Sequence, residues 1–232
     1  MGAAIGDALH AAGHDVIWAS EGRSAATHQR ARALRNVGTV DALSSTAELI
    51  FSICPPHAAA DVARAAAGFS GIYVDANAIS PARSRAIAAL QPRLVDGGII
   101  GPPPRAAGET RLYLSGAGAL GVAELFEGSL VDARVVPDAS ALKMVYAAWS
   151  KGTAALLLSL HRVAEHYEVA RALEDEWRLS QPQLLGRLAS AERSAAAKGW
   201  RWVGELEEIA DTFGAAGEPE GFHRAAAEVF RT

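Results

Sequence analysis

The sequence predicts an α/β chain: a Rossmann-like, mainly parallel sheet lacking its first strand, followed by an all-helical C-terminal domain. Three observations predict it. Short β-like runs alternate with alanine-rich helical stretches as far as Pro137. Beyond Pro137 only helical spacing remains. Prolines and glycines punctuate the ends of the apolar runs, where a doubly wound sheet places its loops.

The expected strands are Asp15–Ser20, Leu49–Cys54, Gly71–Asp75, Leu94–Ile100, Arg111–Ser115 and Ala133–Val136. Between them, helices are expected over Ala3–Ala12, Ser24–Leu34, His57–Ala67, Pro81–Leu90 and Ala119–Phe126. In the first of these, Ile5, Ala8, Leu9 and Ala12 share a face, and Gly13 stops the helix. From Ala139 to Ala172 the pattern is helical without proline, with Leu142, Val145, Trp149, Leu156, Leu160, Val163 and Tyr167 at helical intervals. Pro182–Ala197, Val203–Ala215 and Gly221–Phe230 complete the helical region. The reading divides the chain into a Rossmann-like domain over 1–137 and an all-helical domain over 138–232.

Bulk properties narrow the class. Half the residues are apolar, which suits a soluble globular protein with a proper core. The net charge of −4 gives no broad attraction for nucleic acid or an acidic membrane. No apolar run is long enough to span a bilayer, and no secretory signal is visible. The lone cysteine, Cys54, forms no internal disulfide, and a cytoplasmic location is expected. The scattered histidines show no metal-ligand spacing.

A dinucleotide site normally runs from an apolar strand through a glycine-rich turn into a helix. Here Met1-Gly2 leads straight into a helix, matching the last glycine of that turn. The expectation is therefore that the first strand and part of the glycine motif lie upstream, with Gly2 at the pyrophosphate. The second strand ends Ser20-Glu21-Gly22-Arg23-Ser24. Arg23 and Ser24 suit the 2′-phosphate of NADP, while Glu21 suits the ribose hydroxyl of NAD, so NADP is favoured and NAD remains possible. Cys54 and Pro55 end the next strand on the same expected crevice, although Cys54 also reads as a small packing residue. Asn77 offers a donor and an acceptor suited to a carboxamide or hydroxyl. Gly98 and Gly101 would let a substrate approach the backbone. Lys143, early in the long helix, is the candidate for proton transfer.

In this order the motifs resemble the β-hydroxyacid dehydrogenases related to 6-phosphogluconate dehydrogenase, in a branch with its own helical C-terminal module. Asp75-Ala76-Asn77-Ala78-Ile79-Ser80-Pro81 resembles the strand end that family places near nicotinamide. Asp96 to Gly101 resembles its substrate segment, and Ala141-Leu142-Lys143-Met144-Val145 its catalytic-lysine segment. Gly199-Trp200-Arg201-Trp202-Val203-Gly204-Glu205-Leu206-Glu207-Glu208-Ile209 resembles the hallmark of the branch. The resemblance implies hydride transfer with NADP(H), a small-molecule substrate, Lys143 as proton donor and acceptor, and a homodimer through the helical domain. Two positions depart from the pattern. Ala147 stands where an asparagine follows the lysine, and Ile100 stands where the substrate segment has serine. Both remove polar groups, so a standard hydroxy acid is not the expected substrate, and Ser150, Lys151 or a partner subunit would supply the missing contacts. The alternative is a non-catalytic dinucleotide-binding or structural dimerisation protein.

Overall fold

A computed structural model describes residues 1–231. By chain contacts it falls into two compact units, Met1–Lys143 and Met144–Thr232.

The first unit is an α/β unit. Two strands, β1 (Ile17–Ala19) and β2 (Arg35–Gly38), form a parallel pair of their own. Five more, β3 (Leu49–Ser52), β4 (Ile72–Asp75), β5 (Leu94–Ile100), β6 (Thr110–Ser115) and β7 (Val131–Val135), form a sheet in that order. Only β5–β6 is antiparallel. Both faces of the larger sheet are apolar, as burial between helices requires. On one face Val74, Val95, Ile99, Leu112 and Leu114 pack with Ile5 and Leu9 of α1 (Gly2–Ala11) and Val122 of α6 (Ala119–Glu124). On the other, Ile50 and Tyr73 pack with Ala59 and Ala63 of α4 (Ala59–Ala65) and Ile87 of α5 (Pro81–Ala88). A single turn of 3-10 helix, Pro56–Ala58, leads into α4.

Two elements were not foreseen. Strand β2 contains one large apolar residue, Val37, so it carries no alternation to read. The helix after it, α3 (Val40–Thr46), has no buried residue. Its start is set locally, by the Thr39 hydroxyl accepting the Ala42 N–H at 3.1 Å. The predicted helix over 24–34 shortens to α2 (Ala25–Arg30), capped by Ser24.

The second unit is helical, with the bulk of α7 (Ala139–His166), then α8 (Ala170–Ser180), α9 (Gln183–Ala215) and α10 (Gly221–Glu228). The first turn of α7 belongs to the α/β unit, because its amides are bonded to side chains of β5 and β6. The division therefore falls at 143/144, not directly after Pro137. The helical run predicted over 139–172 is broken between α7 and α8 without glycine or proline. Glu168 adopts a left-handed φ of 59°, and the Val169 N–H donates back to the Ala164 carbonyl at 2.8 Å. Conversely, the two helices predicted over 182–197 and 203–215 are one, α9. Gly199 within it lies against Phe230, whose ring would stand 3.5 Å from a Cβ there. Trp202 meets the same ring edge-on at 5.0 Å. This packing offsets the ~1 kcal/mol that a mid-helix glycine costs. Among the described residues no helix is long and apolar enough to cross a membrane.

Glu168 is the only residue other than glycine with positive φ among the described residues. Glu168→Gly should therefore stabilise the protein by about 1 kcal/mol, read as a higher denaturant midpoint at unchanged slope. An unchanged or lower midpoint would show that the turn carries no strain.

Candidate active site in the α/β unit

Strand register builds a polar row across the sheet. Ser52 of β3 lies opposite Asp75 of β4, Asp75 opposite Asp96 of β5, and Asp96 opposite Ser115 of β6. Directly paired residues share a face, so these four side chains follow one another on the α5 side. Just beyond the row come the C-terminal ends of β3, β4 and β5. In open α/β sheets that edge lines the ligand crevice.

Asp96 is the most heavily bonded member. Its Oδ1 accepts from the Ser84 hydroxyl at 2.8 Å and the Ser140 hydroxyl at 2.5 Å. Its Oδ2 accepts from the Ser140 N–H at 2.7 Å and the Ser115 hydroxyl at 3.2 Å. The Ser115 hydroxyl in turn accepts the Ala139 N–H at 3.0 Å. Asp138 accepts the Ala141 N–H at 2.7 Å. Three of the free amides that open α7 are thereby satisfied.

One turn later, Lys143 Nζ donates to the Ile99 carbonyl at 2.8 Å. The helix can lie this close because of Gly98. A Cβ there would stand 2.9 Å from the Ala139 carbonyl oxygen and 2.9 Å from the Lys143 Cβ. Gly98 thus serves helix-on-strand packing, and α7 covers it. Gly101, with φ of +119°, makes the turn after β5, where any Cβ would collide with the Glu109 carbonyl. Ile100 is buried at 4% exposure and offers no polar group. Ser150 lies in the second unit, and its hydroxyl donates to its own helix at the Ala147 carbonyl, 3.2 Å away.

The expected cofactor residues gather on the same edge of the α/β unit. A Cβ at Gly2 would stand 3.6 Å from the Ile53 Cβ, so α1 begins beside the end of β3. The first turn of α1 has neither a capping side chain nor an acidic residue. Ser20, Glu21, Arg23 and Ser24 form the loop after β1, with Glu21, Arg23 and Ser24 exposed. Ser24 uses its hydroxyl to cap α2, accepting the Thr27 N–H. The Arg23 guanidinium is near enough for its charge to act on the Cys54 thiol. Pro55 follows Cys54 and precedes the 3-10 turn.

Asn77 is placed differently from the expectation. It is 2% exposed, and both ends of its carboxamide are spent on the strand ends. Its Oδ1 accepts the Cys54 N–H at 2.5 Å, and its Nδ2 donates to the Ser52 hydroxyl at 3.1 Å. Asn77 therefore locks β3 to β4 and does not open towards a ligand. Burial pushes the Cys54 thiol up to about 11, so it stays protonated and unreactive at neutral pH. Asp96 and Asp75 are residues of the candidate site that sequence reasoning left without a role. An acidic residue near a strand end was the available signal.

Asp75 is fully buried, and its Oδ1 accepts the Asn77 N–H at 3.0 Å while its Oδ2 has no partner. Burial raises its pKa from 3.8 to about 6, and the Asp96 charge adds to the rise. The folded state thus holds this proton more tightly than the unfolded chain. The associated stability is present in full below pH ~4 and is lost as pH rises through about 6. The loss is on the order of 3 kcal/mol. Asp75→Asn keeps an acceptor for the Asn77 amide and removes the buried charge. It should be more stable than the parent at pH 7.5 and no more stable at pH 4, as read by urea unfolding at both. An equal difference at the two pH values would refute ionisation as the cause.

Comparisons with known proteins extend this picture. Residues 164–232 match DUF1932, a domain of unknown function. No curated protein matches the sequence. Among solved structures, the conserved protein MTH1747, of unknown function and structurally similar to 3-hydroxyacid dehydrogenases, aligns with 98% of this chain and 91% of its own at 25% identity and TM-score 0.72. The 3-hydroxyisobutyrate dehydrogenase of Mycobacterium tuberculosis aligns with 99% and 89% at 18% identity and TM-score 0.65. A reductive aminase from Aspergillus terreus aligns with 98% and 89% at 17% identity and TM-score 0.59. The chain thus has the fold of the 3-hydroxyacid dehydrogenase-like proteins, with a DUF1932 domain over residues 164–232.

Proposed function

We propose that the protein is an NADP-dependent oxidoreductase that moves a hydride between NADP(H) and a small hydroxy or carbonyl compound, with Lys143 moving the proton. The observation that carries this reading is the position of the Lys143 ammonium, 2.8 Å from the Ile99 carbonyl at the C-terminal end of β5. That is the crevice edge of the sheet.

The residues on this edge fit a nicotinamide dinucleotide. The uncapped start of α1 presents free backbone N–H groups and the positive end of the helix dipole, which suits a pyrophosphate. Gly2 keeps that approach free of a side chain. Arg23 supplies a planar fork of donors for a 2′-phosphate. The Aspergillus terreus reductive aminase sharing this fold is complexed with NADPH, which supports the same cofactor class here. When bound, the dinucleotide supplies or accepts the hydride at its nicotinamide ring. A carbonyl reduced by hydride becomes an alkoxide, and Lys143 gives it a proton. In the oxidative direction the neutral lysine takes that proton back. Gly98 lies beneath α7 and Ile100 is apolar and buried. Strand β5 therefore offers little to a carboxylate, which favours a carbonyl compound with an apolar body.

The protein is further proposed to act as a homodimer. On α7 and just past its end, Val145, Trp149, Leu156, Leu160, Val163 and Tyr167 are 44% to 69% exposed. At 3.6 residues per turn they fall within an arc of roughly 60° along ~33 Å of helix. Leu160 aside, their spacing is the same in both directions about Leu156. Trp149 and Val163 each stand seven residues from it, and Val145 and Tyr167 eleven. A stripe of this form matches a second copy of itself, antiparallel, around a two-fold axis. An apolar patch of this extent marks an interaction surface.

Two measurements test these readings. Calorimetry should show saturable NADPH binding that is tighter than NADH binding. Lys143→Ala should keep the NADPH affinity but lower carbonyl reduction by about 10²–10⁴-fold. Failure to bind either dinucleotide would overturn the oxidoreductase reading. Binding without turnover across a broad carbonyl and alcohol panel would favour a non-catalytic dinucleotide-binding protein. Light scattering should give a dimer for the parent and a monomer for the Leu156→Glu, Leu160→Glu double variant. A monomeric parent would rule out the pairing.

A further inference from the structure

We infer that Asp96 is a positioning residue for Lys143, an inference that rests on the oxidoreductase reading given above. Asp96 and Lys143 are held on the same pair of elements by two separate bonds. The Asp96 carboxylate grips the first turn of α7 through the Ser140 N–H and hydroxyl, at 2.7 and 2.5 Å. The Lys143 ammonium bonds back to β5 at the Ile99 carbonyl, at 2.8 Å. Asp96 and Ile99 stand three residues apart on the strand, and Ser140 and Lys143 three apart on the helix. Between the two bonds lies Gly98, where a Cβ would stand 2.9 Å from the Ala139 carbonyl oxygen and from the Lys143 Cβ.

The carboxylate is itself immobilised from the other side. Ser84 of α5 and Ser115 of β6 donate to it at 2.8 and 3.2 Å. A carboxylate with four donors has one orientation. A helix whose first amides bond to it has one rotation about its axis, and that rotation decides where the lysine three residues later points. Displacements of about 1 Å at a reacting group cost roughly 10²-fold in rate. Asp96 therefore acts through Lys143, with no contact to substrate of its own.

The chain carries three lysines, Lys143, Lys151 and Lys198, which makes a direct test feasible. Reductive methylation with ¹³C-formaldehyde gives one dimethylamine signal for each lysine and one for the N-terminus. Lys143→Ala assigns the first. In Asp96→Asn, one acceptor oxygen becomes a donor and the grip on Ser140 and Ser115 is broken. The Lys143 signal should then move in chemical shift by clearly more than its linewidth, because the environment of its ammonium changes with the rotation of α7. Lys151 and Lys198 should keep their positions. If Asp96→Asn does not fold, Ser140→Ala removes only the hydroxyl bond to Asp96, Ser115→Ala removes its bond to Asp96 together with the acceptor of the Ala139 N–H, and either should move the Lys143 signal in the same direction. An unmoved Lys143 signal in the folded variants, with only a lower melting temperature, overturns the proposal and leaves Asp96 as a fold-holding residue. In the reductase assay Asp96→Asn should lower kcat about tenfold or more at unchanged NADPH affinity. Absence of turnover in the parent protein counts against the oxidoreductase reading alone, since the lysine signals are read without substrate.

Discussion

The Asp96 carboxylate takes hydrogen bonds from Ser84, Ser115 and Ser140, on α5, β6 and α7 respectively, and the site takes its shape from that junction. A carboxylate partly withdrawn from water is costly unless its lone pairs are satisfied. Here each oxygen has two donors, and one of those donors is a free amide at the start of a helix, where negative charge is favoured. Its neighbour in the row, Asp75, shows the opposite case. It lies in direct register one strand away and has the Asn77 amide on one oxygen and nothing on the other. The same sheet thus carries one carboxylate with ample support and one whose ionisation is resisted by burial and by the first.

The edge beyond this row is built by economy of side chains. Asn77 closes the gap between β3 and β4 with both ends of one carboxamide. This keeps the strand ends from separating at the point where hydrogen bonding of the ladder stops. With Asn77 occupied and Cys54 protonated, what the edge presents outward is backbone and charge. The backbone is the start of α1 at Gly2, and the charge is Arg23. A helix start and a guanidinium are both groups that suit a phosphate.

Much of this was legible in the sequence because the signals were local. Strand β5 was predicted over Leu94–Ile100 and forms over those residues, since its apolar and glycine pattern admits no helix. Helices α1, α5 and α6 begin within a residue of expectation, α5 through its Ser80 cap and Pro81. The misses share a physical cause. Strand β2 is held by pairing with β1, the break after α7 by a left-handed Glu168, and the continuity of α9 by Phe230 packing on Gly199. Each is a tertiary or backbone effect that overrides local propensity. The glycines of β5 show the same limit. An open approach for substrate and a close approach for a helix both call for glycine, and only the fold shows that Gly98 serves the helix.

The tryptophan-rich string of α9 becomes intelligible on the same terms. Trp202 packs edge-on against Phe230, and Leu206 and Ile209 are fully buried, so one side of the string is core. Glu205, one turn from Trp202, reaches Lys151 at 2.7 Å with both side chains largely shielded from water. A shielded ion pair contributes little net stability compared with a well-packed apolar pair, yet breaking it by removing one partner costs about 3–5 kcal/mol. That asymmetry makes it a register device. Sliding α9 along α7 by one turn would still bury leucines and alanines, but it would strand a lysine and a glutamate. Gly152, one residue on from Lys151, admits Phe222, whose ring would stand 3.2 Å from a Cβ there. The ion pair and the glycine together fix how α9 and α10 lie on α7 within the helical unit, and they leave Lys151 committed to Glu205. Lys143 is thereby the lysine of α7 whose ammonium bonds to a strand backbone.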